Sequence, residues 1–221
     1  MYEISKSFEF SAAHSVHSQK LDKRWAKNTY PKCRRLPGHG HNYKLTVYLS
    51  SENLDNAQMV TDFGHLWWLK EFIDNFVDHK LILGADDPAL KLFLNKLGIL
   101  KEDTLSLPEE IKSAEVKVAS VDENFKLNVE DFKKVNFKEL ERLNYFTFFT
   151  VKTKGNSPIE DFYARILEGL AFINCSPTSE NLARFFYFFV KENVKPLNVK
   201  CQKVAIQETP TSNAVFYENE R

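Results

Sequence analysis

The sequence predicts an α+β domain, an antiparallel sheet with helices packed on one face. Three observations predict it. Residues 2–13 and 41–50 alternate apolar and polar side chains, as two half-buried strands do. A second alternating pair, 199–207 and 214–217, closes the chain around a turn at 210–213. Between the pairs lie helical periodicities at 62–78 and 182–190. The outline is β-β-α-(insertion)-α-β-β: one domain over 1–221, with an insertion at about 84–175 between the helices.

In chain order, the first strand ends at His14. Residues 15–38 carry Lys20, Lys23, Arg24, Lys27, Lys32, Arg34 and Arg35 without clean periodicity, and read as a long basic loop over a site. The next strand is preceded by His39-Gly40-His41. Side chains two apart on an extended chain share a face, so both imidazoles can reach one metal ion, and Gly40 adds no bulk between them. A catalytic zinc centre typically takes three protein ligands and keeps one position open. If the first two strands pair as an antiparallel hairpin, the end of the first meets the start of the second, and His14 supplies the third ligand. Cys33 stands six residues ahead of His39 and adds a thiol.

Asp62 is the N-cap of the first helix, whose apolar stripe is Leu66, Leu69, Phe72, Ile73, Phe76 and Val77. That helix ends near Asp78-His79-Lys80, and Trp67 and Trp68 are expected to pack against a neighbour. Within the insertion, 114–121 alternates like a strand and 125–129 is its hairpin partner. Residues 137–149 have aromatic content suited to either state. Ser157-Pro158-Ile159-Glu160 is a capping box that opens a helix to about Phe172. No chemical constellation is legible here, and the stretch reads as structural or as an oligomer contact. Pro177-Thr178-Ser179-Glu180-Asn181 precedes the last helix, and Pro196 breaks the chain after it.

Thirty basic and thirty acidic side chains cancel, which argues against attraction to nucleic acid or to a membrane surface. No apolar run is long enough to span a bilayer, and the first residues lack a signal-peptide core, so a soluble, cytoplasmic protein is expected. Three cysteines are too few for a disulfide framework; Cys175 and Cys201 read as small buried hydrophobes. All six histidines fall by position 79, which concentrates polar chemistry in the first third. His17 and His65 are assigned to the surface.

Phe10-Ser-Ala-Ala-His14, Cys33 with His39-Gly-His41-Asn42-Tyr43, Met59-Val-Thr-Asp62-Phe63, Asp78-His79, Pro177-Thr-Ser-Glu180-Asn181 and Glu208-Thr209 occur in this order. Together they resemble the 6-pyruvoyltetrahydropterin synthase / 6-carboxytetrahydropterin synthase family, over residues 1–83 and 176–221. The Gly-His-Gly-His-Asn-Tyr run with its upstream Cys carries most of that likeness. The resemblance implies the tunnelling fold: a four-stranded antiparallel sheet with two helices on one face, closing as trimers into a barrel and stacking as a hexamer. It implies a dihydroneopterin triphosphate substrate and a zinc ion bound by His14, His39 and His41. Cys33 would be the proton-abstracting thiol, favoured as thiolate by the nearby Lys32, Arg34 and Arg35. Asp78 and His79 would be a second acid/base pair, reaching the site from a neighbouring subunit. Glu208 would anchor the pterin, and Thr178, Ser179 and Glu180 would complete its pocket from an adjacent chain.

Two features divide the expected product. The five-residue gap between Cys33 and His39 resembles the pyruvoyl-forming animal enzymes, whereas Asp62-Phe63 and 177–181 resemble the bacterial branch that serves queuosine (7-deazaguanine) biosynthesis. The reading is a zinc-dependent lyase that makes 6-carboxytetrahydropterin, releasing acetaldehyde and triphosphate. Triphosphate elimination to 6-pyruvoyltetrahydropterin is the alternative. From other classes stand a non-catalytic zinc- and pterin-binding protein, and a hydrolase using the three histidines alone.

Overall fold

The computed structural model describes residues 1–27, 31–101, 104–105, 114–121, 127–130, 146–153 and 157–218. Its strands are β1 (Tyr2–Ser15), β2 (His39–Ser51), β3 (Leu81–Gly84), β4 (Leu100–Lys101), β5 (Thr104–Leu105), β6 (Ala114–Val121), β7 (Leu127–Glu130), β8 (Phe146–Thr153), β9 (Leu170–Ile173), β10 (Lys200–Thr209) and β11 (Ser212–Phe216). The helices are α1 (Lys23–Ala26), α2 (Trp67–Phe76), α3 (Pro88–Lys96), α4 (Pro158–Glu168) and α5 (Ser179–Asn193).

The terminal hairpins form as their alternation predicts. Phe8, Phe10 and Ala12 of β1 point inward with Tyr43, Leu45, Val47 and Leu49 of β2, while the residues between them face out or stand half-buried. β10 pairs with β2 and β11 with β10, both antiparallel. The sheet is nonetheless larger than the expected four antiparallel strands. It runs β11-β10-β2-β1-β3-β9-β8-β6-β7 and is mixed, because β3 lies parallel to β1 and β9 parallel to β3. The stretch expected as an insertion therefore extends the same sheet through the strands that bound it. β3 and β9 escape a search for alternation because Leu-Ile-Leu-Gly and Leu-Ala-Phe-Ile are continuous apolar runs, almost wholly buried, as parallel strands covered on both faces are.

β9 also corrects a helix. The capping box holds: Ser157 Oγ accepts from the Glu160 N–H at 3.3 Å. But α4 stops at Glu168 rather than near Phe172, and Gly169 leads straight into β9. β6 pairs with β7 and with β8. Residues 125–126 of the expected hairpin partner, and 137–145 of the aromatic stretch, lie outside the described residues.

Asp62 accepts from the Gly64 N–H at 2.6 Å, but it caps a 3₁₀ turn, Phe63–Leu66, before α2 begins. Trp68 packs on Phe189 with ring centroids 5.4 Å apart, whereas Trp67 is exposed. α5 buries Leu182, Ala183, Phe185, Phe186, Phe189 and Val190, a stripe at three- and four-residue spacing. Phe186 lies 5.9 Å from Phe72 and 6.4 Å from Phe10, between α2 and the sheet. Phe186→Ala should lower unfolding free energy by about 3–5 kcal/mol in urea titrations, the usual cost of emptying such a site. Among the described residues, no helix is long and apolar enough to cross a membrane.

Candidate active site

The hairpin register builds a cluster of imidazoles. His14 stands opposite His39, and His41 opposite Ala12. Gly38 lets β2 enter there: its φ is +124°, and a Cβ on it would lie 2.6 Å from the His14 carbonyl oxygen. His14 is 2% exposed, and its Nδ1 is 2.8 Å from the Pro177 carbonyl. A carbonyl only accepts, so Nδ1 carries the proton and the Nε2 lone pair points into the cluster. That Nε2 is 3.2 Å from His39 Nε2. Glu208, near the end of β10, brings Oε1 to 3.1 Å from His41 Nε2 and 3.7 Å from His14 Nε2.

These contacts fit a metal ion. One donor atom from each of His14, His39, His41 and Glu208 falls within 4.8 Å of the others. Tetrahedral zinc with bonds of about 2.0–2.1 Å needs ligand atoms about 3.3 Å apart. His41 Nε2 is buried without a hydrogen-bond partner among the described residues. Burial holds the pKa of both His14 and His41 below the ordinary 6.5, against the pull of Glu208, and so favours the neutral, metal-binding form. Below about pH 6.5 the unfolded chain binds protons that these folded imidazoles resist, so ∂ΔG/∂pH is positive there. Metal-free protein should lose melting temperature steadily between pH 7 and 5, by calorimetry, and His41→Gln should flatten part of that slope.

Beside the cluster lies a cavity of about 400 Å³ lined by His14, Cys33, Thr178, Ser179, Glu180 and Glu208, with the turn after β1. Thr178 caps α5, its Oγ1 accepting from the Asn181 N–H at 3.3 Å. Ser179 donates to Glu208 Oε2. The 178–180 segment thus reaches Glu208 of the same chain. Tyr43 floors the cluster, stacked on Phe10 at 5.1 Å and 5.6 Å from the His41 ring. Burial pushes its phenol far up, and Glu208 adds to this.

Cys33 differs electrostatically from expectation. Burial, then the charge of Glu208, raise its thiol above 9.0; a Gln19 hydrogen bond only partly offsets them. The net direction is upward despite the neighbouring Lys32, Arg34 and Arg35.

Asp78 and His79 lie elsewhere. The His79 N–H donates to the Ser11 carbonyl at 2.6 Å, and Asp78 Oδ1 accepts from the Ser11 N–H at 2.9 Å, which pins the turn after α2 to the edge of β1. Burial raises the Asp78 pKa, but the Ser11 and His79 hydrogen bonds outweigh it and leave the carboxyl below its ordinary value. Asp78 Oδ2 sits 3.0 Å from His79 Nδ1 and orients the ring, which is 83% exposed. His79 lines a separate recess with His41, not the Cys33 cavity.

Two assignments, His17 and Cys175, change in detail. His17 is half-buried, 3.7 Å from Asp86, rather than on the surface. His65 is exposed as expected, bonded to Thr61 at 2.8 Å. Cys201 is buried, whereas Cys175 is only half-buried against the core. Sequence reasoning missed Gln19, whose Oε1 accepts from the Cys33 N–H at 2.9 Å; no pattern in the loop marks it.

A family model described as 6-pyruvoyl tetrahydropterin synthase matches residues 3–219. A 6-carboxy-5,6,7,8-tetrahydropterin synthase of Aquifex aeolicus is 37% identical over 108 residues, covering 45% of this chain and 65% of that relative. One from Helicobacter pylori is 26% identical over 204 residues, covering 79% of this chain and 96% of that relative. A crystal structure of an uncharacterized Wolinella succinogenes protein superposes with a TM-score of 0.69 at 30% identity, covering 99% of this chain and 98% of that one. With a match this extensive, and with the imidazole cluster and cavity where the motifs fall, the chain belongs to the 6-pyruvoyl tetrahydropterin synthase family.

Proposed function

We propose that this protein is a zinc-dependent lyase that converts 7,8-dihydroneopterin triphosphate to 6-carboxy-5,6,7,8-tetrahydropterin, the queuosine-pathway reaction, releasing acetaldehyde and triphosphate. The observation that carries the reading is the cluster of His14, His39, His41 and Glu208, two of whose members, His14 and Glu208, share a cavity with Cys33. The carboxy-forming names of the Aquifex and Helicobacter relatives support the choice of product.

His14, His39 and His41 would hold the ion, which supplies Lewis acidity toward the hydroxyls of the substrate side chain. Cys33 would take the proton from the adjoining carbon. Its raised pKa keeps it protonated in the metal-free cavity, and a cation held by the histidines would favour the thiolate. Glu208 would receive the pterin's amino and ring N–H groups as a paired, charge-assisted contact, with Ser179 steering one oxygen. Thr178 and Glu180 would wall the pterin end, and Lys20, also on the cavity, suits the triphosphate. Asp78 and His79 would serve as the second acid/base pair. The exposure of His79 on a separate recess supports delivery of the pair to a neighbouring subunit's site, in a trimer-based barrel and a dimer of trimers. A cytoplasmic location goes with this reading. The antiparallel block β11-β10-β2-β1, with α2 and α5, would be the tunnelling-fold unit within the larger sheet.

The five-residue spacing from Cys33 to His39 favours the second reading, elimination of triphosphate to 6-pyruvoyltetrahydropterin. Anaerobic incubation of the zinc-loaded protein with dihydroneopterin triphosphate, followed by mass spectrometry, separates the two. A carboxy-pterin with acetaldehyde is expected; a pyruvoyl-pterin establishes the other branch, and unchanged substrate sinks both. Glu208→Ala should abolish pterin turnover, whereas a hydrolase relying on the histidines alone would still cleave a simple phosphate ester.

A further inference from the structure

The segment that follows β1 grips Cys33 at two points. The Val16 N–H donates to the Cys33 carbonyl at 2.7 Å, and the Cys33 N–H donates to Gln19 Oε1 at 2.9 Å. The Gln19 N–H turns back to the Val16 carbonyl at 3.1 Å, so 16–19 is a closed turn. With both backbone groups of Cys33 engaged, the thiol retains little freedom beyond its own χ1 rotation. The Gln19 side chain also contacts the thiol, in the sense that favours thiolate.

The turn is held in its own right by the strands that bound the insertion. Ser15 pairs with Leu83 of β3. His17 Nε2 lies 3.7 Å from Asp86 Oδ2, just beyond the end of β3. Ser18 Oγ and Ser176 Oγ, the latter just beyond β9, are 2.8 Å apart. The parallel strands β1, β3 and β9 all finish at this level. Residues after their carboxyl ends therefore meet at one rim, where parallel sheets commonly place their sites.

We propose that Gln19 is a positioning residue for Cys33, and that the strands bounding the insertion hold Gln19 to that task through Asp86 and Ser176. The inference rests on the reading of Cys33 as the base. A misplacement of about 1 Å in a reacting group costs up to about 100-fold in rate, which sets the size of the effect.

The test compares Gln19→Met, which keeps the length but has no acceptor, with Gln19→Glu, which keeps it. Both are measured as full-length, zinc-loaded protein, by amide hydrogen exchange at Cys33 and by kcat and KM for dihydroneopterin triphosphate. In Gln19→Met the Cys33 amide should exchange about 10-fold faster or more, while β2 amides stay protected. Its kcat should fall by about 10–100-fold with KM within about two-fold. Gln19→Glu should keep the amide protected. Ser176→Ala, outside the cavity, should give a smaller change of the same kind, and serves if Gln19→Met fails to fold. Wild-type exchange in Gln19→Met, or faster exchange with wild-type kcat, overturns the proposal. If Cys33→Ala turns over normally, the reading of Cys33 falls instead; the exchange data then still report whether Gln19 holds the loop.

Discussion

His39→Ala should strip the protein of its metal and of its pterin turnover while leaving the hairpin folded. His39 is half-buried, and β1 and β2 pair through their backbones along thirteen residues, so the register does not depend on the imidazole. The proposed ion would lose one of three nitrogens. Outer partners of a metal ligand typically cost about 10–100-fold in affinity, so losing the ligand itself should cost more than about 100-fold. Competition with a chelator of known affinity measures this, and circular dichroism checks the fold. His14→Ala should lose the metal too, but it should also destabilise the chain. It removes a buried ring and leaves the Pro177 carbonyl without its donor, at about 1–3 kcal/mol for the lost bond alone. Equal metal content in wild type and His39→Ala would refute the centre.

Cys33→Ala should separate chemistry from binding. Removing a general base costs about 10²–10⁴-fold in kcat, whereas metal content and KM should hardly move if, as proposed, Glu208, Ser179 and Thr178 on the same cavity hold the pterin. Cys33→Ser should do little better, since a hydroxyl is a far weaker acid than a thiol. The raised thiol pKa has its own consequence. In metal-free protein Cys33 should resist iodoacetamide at pH 7, and its alkylation should accelerate only as the pH climbs past 9.0, the ordinary value for such a thiol. A Cys33→Ala enzyme at wild-type rate would remove the thiol from the mechanism.

Much of the site was legible because its logic is local. His39 and His41 share a strand face by a spacing of two, and an antiparallel hairpin forces the end of β1 against the start of β2, so the three-histidine cluster follows from alternation alone. The Ser157 and Asp62 caps were equally readable, since each depends on a neighbour two or three residues away. What escaped was set by long-range context. β3 and β9 are short, almost wholly buried apolar runs that become strands because β1 offers a free parallel edge. The basic residues around Cys33 suggested a stabilised thiolate, but charge in sequence is not charge in space: burial and Glu208, from the other end of the chain, decide its direction. Gln19 was invisible for the same reason, because its partner lies fourteen residues on across a loop without period.

In the proposed centre three imidazoles hold a single ion, and Cys33 stands beside it rather than on it. X-ray absorption at the zinc edge of the metal-loaded, substrate-free protein tests this directly. The account predicts one zinc per chain, three nitrogen scatterers at about 2.0–2.1 Å with the multiple-scattering signature of imidazole, and oxygen completing the shell. A sulfur scatterer at about 2.3 Å would make Cys33 a ligand instead of a base and would contradict the mechanism. A zinc shell with fewer than three imidazoles would contradict the centre itself.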